Sequence, residues 1–240
     1  MLYVVGFGSG ARNCLTAEAE QILLSSDLII GYTTYVSLVQ EMFPKKQYLM
    51  TGMRQETERV RLAMEKAQSQ TVSLICSGDP ELYGMAGLAY EYLAEYPDTE
   101  IITVPGITAA FSGGALLGAP LTHDTAIISL SDLLTPAEKS RNRLRCAAEG
   151  DFVIVLYNPS SKTRTDHLKK ACALVMQHRT PETVCGYVRC IGREGEAAQV
   201  CTLADLCDVQ ADMFTTVFIG NSETRLIAGK MVTPRGYRHA

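Results

Sequence analysis

The sequence has no long run of apolar residues, and this absence excludes a class of protein. None of its apolar stretches approaches the roughly 20 residues that a membrane-spanning helix needs. No charged segment precedes a long apolar stretch near the N-terminus, so we expect no secretory signal peptide. The 240 residues are 47% hydrophobic and 20% charged, which excludes a disordered or fibrous chain. We therefore expect a folded protein of the cytoplasm.

The chain also lacks an excess of basic residues. It has 22 Lys and Arg residues and 26 Asp and Glu residues, which gives a net charge of -4. A general nucleic-acid-binding protein needs a broad basic face, so we expect no nucleic-acid partner. A small anionic substrate stays compatible with this charge, because a few local basic residues are enough to bind it.

The cysteines lack the paired spacing that is typical of metal sites. No two form a C-x-x-C motif, and no four have the usual zinc spacing. We expect free thiols packed in the core of a reduced protein, with no bound metal and no role in catalysis. The eight cysteines are Cys14, Cys76, Cys146, Cys172, Cys185, Cys190, Cys201 and Cys207.

Short apolar strands alternate with helices in the first half of the chain. This alternation predicts a parallel sheet covered by helices on both faces. The second half starts with a new strand at 125–130 and later has strands with no long helix between them. It therefore predicts a partly antiparallel sheet. Because the stretch 112–120 is small and glycine-rich, we predict two α/β domains, 1–114 and 115–240.

Two helix starts are predicted from local signals. Thr135-Pro136-Ala137-Glu138 predicts a helix with Thr135 as its N-cap, Pro136 in the first position and Glu138 closing a capping box. An earlier amphipathic helix is predicted from a stripe of residues on one face. The stripe comprises Leu82, Met85, Ala86, Ala89, Tyr90 and Leu93.

The first predicted strand runs into a glycine-rich turn, Gly6-Phe7-Gly8-Ser9-Gly10-Ala11. This turn fits the dinucleotide fingerprint G-x-G-x-x-A. That fingerprint also needs an acidic residue closing the second strand, whereas this strand ends at Gly31-Tyr32 and Asp27 precedes it. Two other interpretations stay open: a turn without a ligand, and a loop whose glycines let a bulky ligand approach the backbone.

Two further turns follow parallel strands, Ser77-Gly78-Asp79-Pro80 and Pro105-Gly106-Ile107-Thr108-Ala109-Ala110. The carboxyl edge of an open α/β sheet is where ligands bind. Asp79 could instead cap the following helix, and the small residues near Gly106 could serve close packing alone. Three strand ends meeting at one edge nevertheless favour a binding site.

Together these motifs resemble those of the tetrapyrrole methyltransferases. The later motifs resemble the carbon-17 methyltransferases of corrin synthesis within that family. One departure is Ala137, where the family pattern has Trp. The resemblance covers the whole chain and includes Tyr83-Gly84, His123-Asp124, Ser129-Leu130-Ser131-Asp132-Leu133-Leu134-Thr135-Pro136, Leu156-Tyr157-Asn158-Pro159-Ser160-Ser161-Lys162 and Thr233-Pro234-Arg235-Gly236-Tyr237.

The resemblance implies a fold, a cofactor and a reaction. It implies a homodimer whose two α/β domains bind S-adenosylmethionine folded up in a cleft between them, unlike a Rossmann fold. The implied substrate is the tetrapyrrole precorrin-3B or its cobalt-bearing counterpart, which is methylated at carbon 17 and ring-contracted. The implied cofactor contacts are Ser9, Gly78, Asp79, Leu82, Thr108, Ala109, Tyr157, Asn158, Arg189 and Thr216.

Methylation of an electron-rich ring needs mainly position and orientation, whereas ring contraction moves protons and calls for an acid or base. The candidates are His123 and Asp132, with Asp124 beside them; Ser129 and Ser131 could donate hydrogen bonds. The alternative is that Asp132 caps a turn and His123 is a surface residue.

The substrate's carboxylates predict basic partners near the strand ends. Two rival functions stay open: a nicotinamide-dependent oxidoreductase, which the missing ribose acid disfavours, and a non-catalytic ligand-binding regulator. The short chain and its 233–237 tail favour the substrate that already carries cobalt. The candidate basic partners are Arg12, Arg54, Lys162, Arg164, Arg189 and Arg193.

Overall fold

The computed structural model describes residues 1–160 and 165–237. The chain forms two compact units, Met1–Thr108 and Ala109–Ala240. The predicted boundary after residue 114 falls inside helix α5 (Ala109–Leu117). The small residues there allow close packing, since a Cβ at Gly113 would lie 3.1 Å from side-chain atoms of Ile191 and Phe218.

The first unit contains a five-stranded sheet in the order β3-β2-β4-β1-β5. Every neighbouring pair in it is parallel, as predicted. Apolar residues cover both faces: Val4 and Leu74 belong to one buried cluster, and Val5 and Ile75 to another. The strands are β1 (Leu2–Gly6), β2 (Leu28–Tyr32), β3 (Gln47–Thr51), β4 (Val72–Cys76) and β5 (Ile101–Val104); the helices are α1 (Ala17–Ser25), α2 (Thr33–Met42), α3 (Glu56–Ala67) and α4 (Ala86–Glu91).

Helix α4 starts later than the apolar stripe from Leu82 predicts. Residues 79–85 form a tight loop instead, because Tyr83 has a positive φ of 58°. Gly84 is pressed against the same loop, since a Cβ there would lie 2.3 Å from the Pro80 carbonyl oxygen. The prediction that Leu82 lies on this helix is therefore wrong.

The second unit contains a five-stranded sheet in the order β10-β9-β11-β8-β7 and a smaller sheet β12-β13-β6. Strands β7 and β8 are parallel, whereas β11 runs antiparallel to both β8 and β9. The predicted mixed sheet is thus confirmed. The strands are β6 (Gly118–Ala119), β7 (Thr125–Ser129), β8 (Val153–Tyr157), β9 (Val184–Arg189), β10 (Ala197–Thr202), β11 (Thr215–Ile219), β12 (Arg225–Ile227) and β13 (Lys230–Val232); the helices besides α5 are α6 (Ala137–Glu149), α7 (His167–Val175) and α8 (Leu203–Leu206).

The start of α6 also differs from its prediction. Pro136 is the N-cap, and no side chain caps the helix. The predicted capping box of Thr135 and Glu138 is therefore not formed, because the helix begins one residue later than predicted and Thr135 is not its N-cap. A capping box does form at α8, where Thr202 and Asp205 bond reciprocally.

Candidate functional site

Three predicted loops meet at the carboxyl edge of the first sheet, where the backbones of their glycines are in close contact. Gly8 and Gly78 form a two-way bridge, with N–H···O distances of 3.2 and 2.7 Å. A Cβ at Gly6 would lie 2.6 Å from the Gly78 carbonyl oxygen, and a Cβ at Gly106 only 2.1 Å from it. Close contact between the loop backbones therefore accounts for glycine at Gly6 and Gly106.

The order of this sheet does not suit the dinucleotide fingerprint. In a Rossmann fold the first strand lies beside the second, whose end supplies the ribose acid. Here β4 lies between β1 and β2, and β2 ends at Tyr32. The glycine-rich turn is therefore not placed for a nicotinamide dinucleotide.

Asp79 ties two of the three loops together. Its Oδ1 accepts hydrogen bonds from the Glu81 and Leu82 amides at 2.9 and 3.2 Å, and its Oδ2 accepts one from the Gly106 amide at 3.0 Å. A carboxylate has about four lone-pair sites, so these bonds leave it capacity for a ligand. The structure thus gives Asp79 an organising role that is compatible with binding.

The other predicted cofactor residues of this unit differ in exposure. The hydroxyl-bearing residues Ser9 and Thr108 are buried, whereas Leu82 is half-buried. Thr108 directly precedes α5, whose first residue is the half-buried Ala109. Ser9 and Thr108 therefore belong to the packed walls of the loops, and Leu82 presents apolar surface.

Arg59, a buried arginine at the same edge, was not predicted from the sequence. Arg59 is 2% exposed and donates to Thr51 Oγ1 at 2.5 Å, to the Gly52 carbonyl at 2.7 Å and to Met85 Sδ at 3.5 Å. It thus links the loops after β3 and β4. Burial lowers its pKa, which the charge of Glu56 partly restores. Its position on the buried stripe of α3, where a charge is unusual, was the available signal.

The carboxyl ends of β8 and β9 and the start of β11 meet at one edge of the second sheet. Arg189 pairs with Thr215, and Val217 with Leu156. This register places four predicted cofactor residues at that edge. The four are Tyr157, Asn158, Arg189 and Thr216.

These residues already have partners within the second unit. Tyr157 Oη accepts from the Ala110 amide at 2.7 Å, near the start of α5. Asn158 has a positive φ of 52° and donates to Ser129 Oγ at 3.0 Å. Arg189 donates to Asp212 at 2.7 Å, and this hydrogen bond raises the pKa of Arg189.

The two candidate catalytic residues lie at opposite ends of β7. His123 precedes its first residue and Asp132 follows its last. Five residues of strand span about 16 Å, so the two side chains serve different edges. Asp132 lies at the same carboxyl edge as Asn158. Asp124, next to His123, lies at the opposite edge, where its carbonyl oxygen accepts a hydrogen bond from the amide of Val153 at the amino end of β8. His167 Nε2 lies 3.8 Å from Asp132 Oδ2.

Most of the described basic candidates for substrate binding have partners. Arg12 pairs with Glu20 at 2.5 Å, and Arg193 stands over the Phe214 ring at 5.7 Å. Arg54 is exposed at the carboxyl end of β3, and within residues 1–160 and 165–237 it has no ion pair. Lys162 and Arg164 lie outside the described residues.

The part of the chain that the structure describes has no group of three or more His, Cys, Asp or Glu side chains that could hold a metal ion. It also has no helix long and apolar enough to cross a membrane. Burial raises the pKa of four of the free cysteines, three of which are buried, whereas Cys201 is half-buried. The four are Cys76, Cys172, Cys185 and Cys201.

Comparison with known proteins gives matches over nearly the whole chain. A protein of Methanocaldococcus jannaschii named "Probable cobalt-factor III C(17)-methyltransferase" is 44% identical over 99% of this chain and 98% of its own length. The "Cobalamin biosynthesis protein CbiHC" of Archaeoglobus fulgidus is 42% identical over 98% of this chain, which spans only 52% of that protein.

A solved structure of the methyltransferase CobJ has a TM-score of 0.89 and 34% identity, covering 97% of this chain and 99% of that one. The family model of the Tetrapyrrole (Corrin/Porphyrin) Methylases matches residues 1–207. The chain therefore belongs to the tetrapyrrole (corrin/porphyrin) methylase family.

Proposed function

We propose that this chain transfers the methyl group of S-adenosylmethionine to carbon 17 of a precorrin or cobalt-precorrin and contracts the macrocycle. The observation that carries the proposal is the full-length similarity to the M. jannaschii protein, whose printed name states this position. Because that name specifies cobalt-factor III, we propose the cobalt-bearing substrate.

The residues at the two sheet edges suit S-adenosylmethionine, which supplies an electrophilic methyl group when bound. Asp79 offers acceptor capacity for the ligand's amino or hydroxyl groups, and half-buried Leu82 offers apolar contact. In the second unit, Tyr157 is the last residue of β8, and Asn158 follows it with a positive φ of 52°. We propose that these residues bind the cofactor together with Ser9, Gly78, Thr108, Ala109, Arg189 and Thr216.

The protein's contribution to methyl transfer is mainly positional. The electron-rich ring is itself the nucleophile, so no strong base is needed, and orientation alone can supply up to about 7–11 kcal/mol. The backbones of Gly6, Gly78 and Gly106 lie in close contact, which fixes the spacing of the loops at the first edge. Exposed Arg54 is placed to pair with a substrate carboxylate.

The test combines binding with turnover. Calorimetry should give binding of S-adenosylmethionine and none of NADH, which separates the proposal from an oxidoreductase. Incubation with cobalt-factor III and with precorrin-3B should give a methylated product, with the cobalt form preferred. Binding of the cofactor without turnover of either substrate would instead indicate a regulator.

We also propose a homodimer in the cytoplasm, on the family resemblance. The second unit has exposed apolar residues that an interface between two copies would cover, including Phe111 at 63% and Leu226 at 60% exposure. Sedimentation at micromolar concentration should give twice the chain mass of 26.2 kDa. A single-chain mass would remove the homodimer.

A further inference from the structure

His167 and Asp132 form a pair next to the carboxyl ends of β7 and β8. His167 Nε2 lies 3.8 Å from Asp132 Oδ2, and His167 Nδ1 lies 3.1 Å from the Leu130 carbonyl oxygen. Leu130 in turn donates its amide to the Tyr157 carbonyl at 2.9 Å. The imidazole is therefore anchored to the loop that carries Asp132, and that loop is in turn bonded to the end of β8.

The contact with Leu130 fixes the tautomer of His167. A carbonyl oxygen can only accept, so Nδ1 carries a proton in both the neutral and the charged ring. Nε2 is then the nitrogen that gains or loses a proton, and it faces Asp132. A proton on Nε2 would therefore lie beside the Asp132 carboxyl group.

The pair faces open space and not packed core. Asp132 and His167 both line a cavity of about 270 Å³ between α6, α7 and the loop after β7. The His167 side chain is 20% exposed and that of Asp132 35% exposed. The described charged groups around the pair are Arg141 on α6, and Lys170 on α7 with its partner Asp166 at 2.5 Å.

We propose that His167 is a positioning residue for Asp132, which holds the carboxyl group and stores the proton that Asp132 exchanges with the bound tetrapyrrole after methylation. When Asp132 gives its proton to a substrate atom, its O–H bond breaks and a carboxylate remains beside neutral His167. A proton from solvent on Nε2 then restores the pair. The inference rests on the proposed function, and it names a residue that neither the motifs nor the strand ends had singled out.

The decisive variant is His167→Asn. The Asn side-chain amide can still donate to the Leu130 carbonyl, but it has no group in the place of Nε2. In single turnover with cobalt-factor III, we expect ring contraction to slow about 10- to 100-fold and methylation to change less than about 3-fold. The matched control is His178→Asn, because His178 is an exposed residue just after the same helix, and it should leave both rates unchanged.

A spectroscopic measurement separates this inference from the proposed function. Long-range ¹⁵N–¹H correlation should show the neutral His167 ring protonated on Nδ1, and Asp132→Asn should move the Nε2 shift while the His178 shifts stay fixed. Wild-type contraction in His167→Asn, or a neutral ring protonated on Nε2, would overturn the inference. Absence of methylation in the wild-type protein would overturn the proposed function, while the ¹⁵N result would still decide the pairing.

Discussion

The carboxyl edges of the two sheets are held together by different kinds of contact. At the first edge, backbone lies against backbone, with the Gly8–Gly78 bridge and Gly106 in contact and Asp79 bonded to three amides. At the second edge, side chains bond to side chains, as with Asn158 and Ser129. Backbone contacts fix geometry, whereas ionisable side chains such as His167 and Asp132, which lie beside the second edge, can exchange protons. We propose that both edges bind the cofactor and that the second edge also takes part in proton exchange.

The largest effect is expected from Gly106→Ala, which attacks the backbone contacts of the first edge. The new Cβ would lie 2.1 Å from the Gly78 carbonyl oxygen, and backbone on both sides leaves it little room to move. We expect a loss of about 4 kcal/mol or more in the free energy of unfolding, measured by urea denaturation. Gly87→Ala is the matched control, since nothing lies within 4 Å of its Cβ and it is on α4; it should raise stability by up to about 1 kcal/mol.

The second prediction compares the two ends of β7. Asp132→Asn should slow ring contraction by about 10²-fold or more, because it removes the proposed proton donor. It should leave cofactor affinity intact, because Asp132 is not among the proposed cofactor contacts. His123→Ala should leave both reactions within about 2-fold, because His123 precedes the strand. Product mass and absorbance under single turnover measure both. A larger loss in His123→Ala than in Asp132→Asn would reverse the assignment of the two ends.

The third prediction distinguishes cofactor binding from structural stabilisation at the first edge. Asp79→Ala removes the acceptor for three amides, so it should lower the free energy of unfolding by about 1–3 kcal/mol and weaken S-adenosylmethionine binding at least about 10-fold. Thr108→Val, which keeps the volume of a buried residue, should weaken binding with a smaller loss of stability. If calorimetry shows unchanged affinity for S-adenosylmethionine in both variants, the cofactor does not bind at this edge.

The fourth prediction concerns alkaline pH. Burial raises the pKa of Cys76 in the first unit and of Cys201 in the second from 9.0 to about 11. Between pH 9 and 11 the unfolded chain loses these protons while the folded chain keeps them, so stability falls as pH rises through this range. Cys201→Ser should make the fall shallower, as measured by urea denaturation at pH 8, 9 and 10, whereas replacing exposed Cys146 should not.

The smallest effect is expected from Arg54→Ala. Its exposed side chain at the end of β3 should pair with one carboxylate of a substrate that has many. We expect KM for the tetrapyrrole to rise about 3- to 10-fold, in line with a partly exposed charge pair, and kcat and cofactor affinity to stay unchanged. Arg61→Ala, on the exposed face of α3, is the control that should leave KM unaltered.

The sequence predicts the sheets well because apolar runs and turn residues act locally. The parallel first sheet and the mixed second sheet are confirmed. It fails at residues 79–85, where a tight loop with a positive φ at Tyr83 delays the start of α4. The boundary predicted after residue 114 lies inside α5, where small residues pack closely against Ile191 and Phe218.

Side-chain partners were harder still to predict. His167 is 35 residues from Asp132 in sequence, and only the β7–β8 pairing and the position of α7 bring them to 3.8 Å. Arg59 is similar, because its partners in the loops after β3 and β4 are set by sheet order. Strand ends, which motifs mark, were predictable, whereas pairs across elements were not.

The most direct test of the proposed function is a single turnover with S-adenosylmethionine labelled with ¹³C in its methyl group. Cobalt-factor III and excess enzyme should give one product, and its ¹³C signal should be that of a methyl group on carbon 17 of a contracted ring. Two results would contradict the proposed function. One is a labelled methyl group on a carbon other than carbon 17, and the other is binding of the cofactor without transfer of its labelled methyl group.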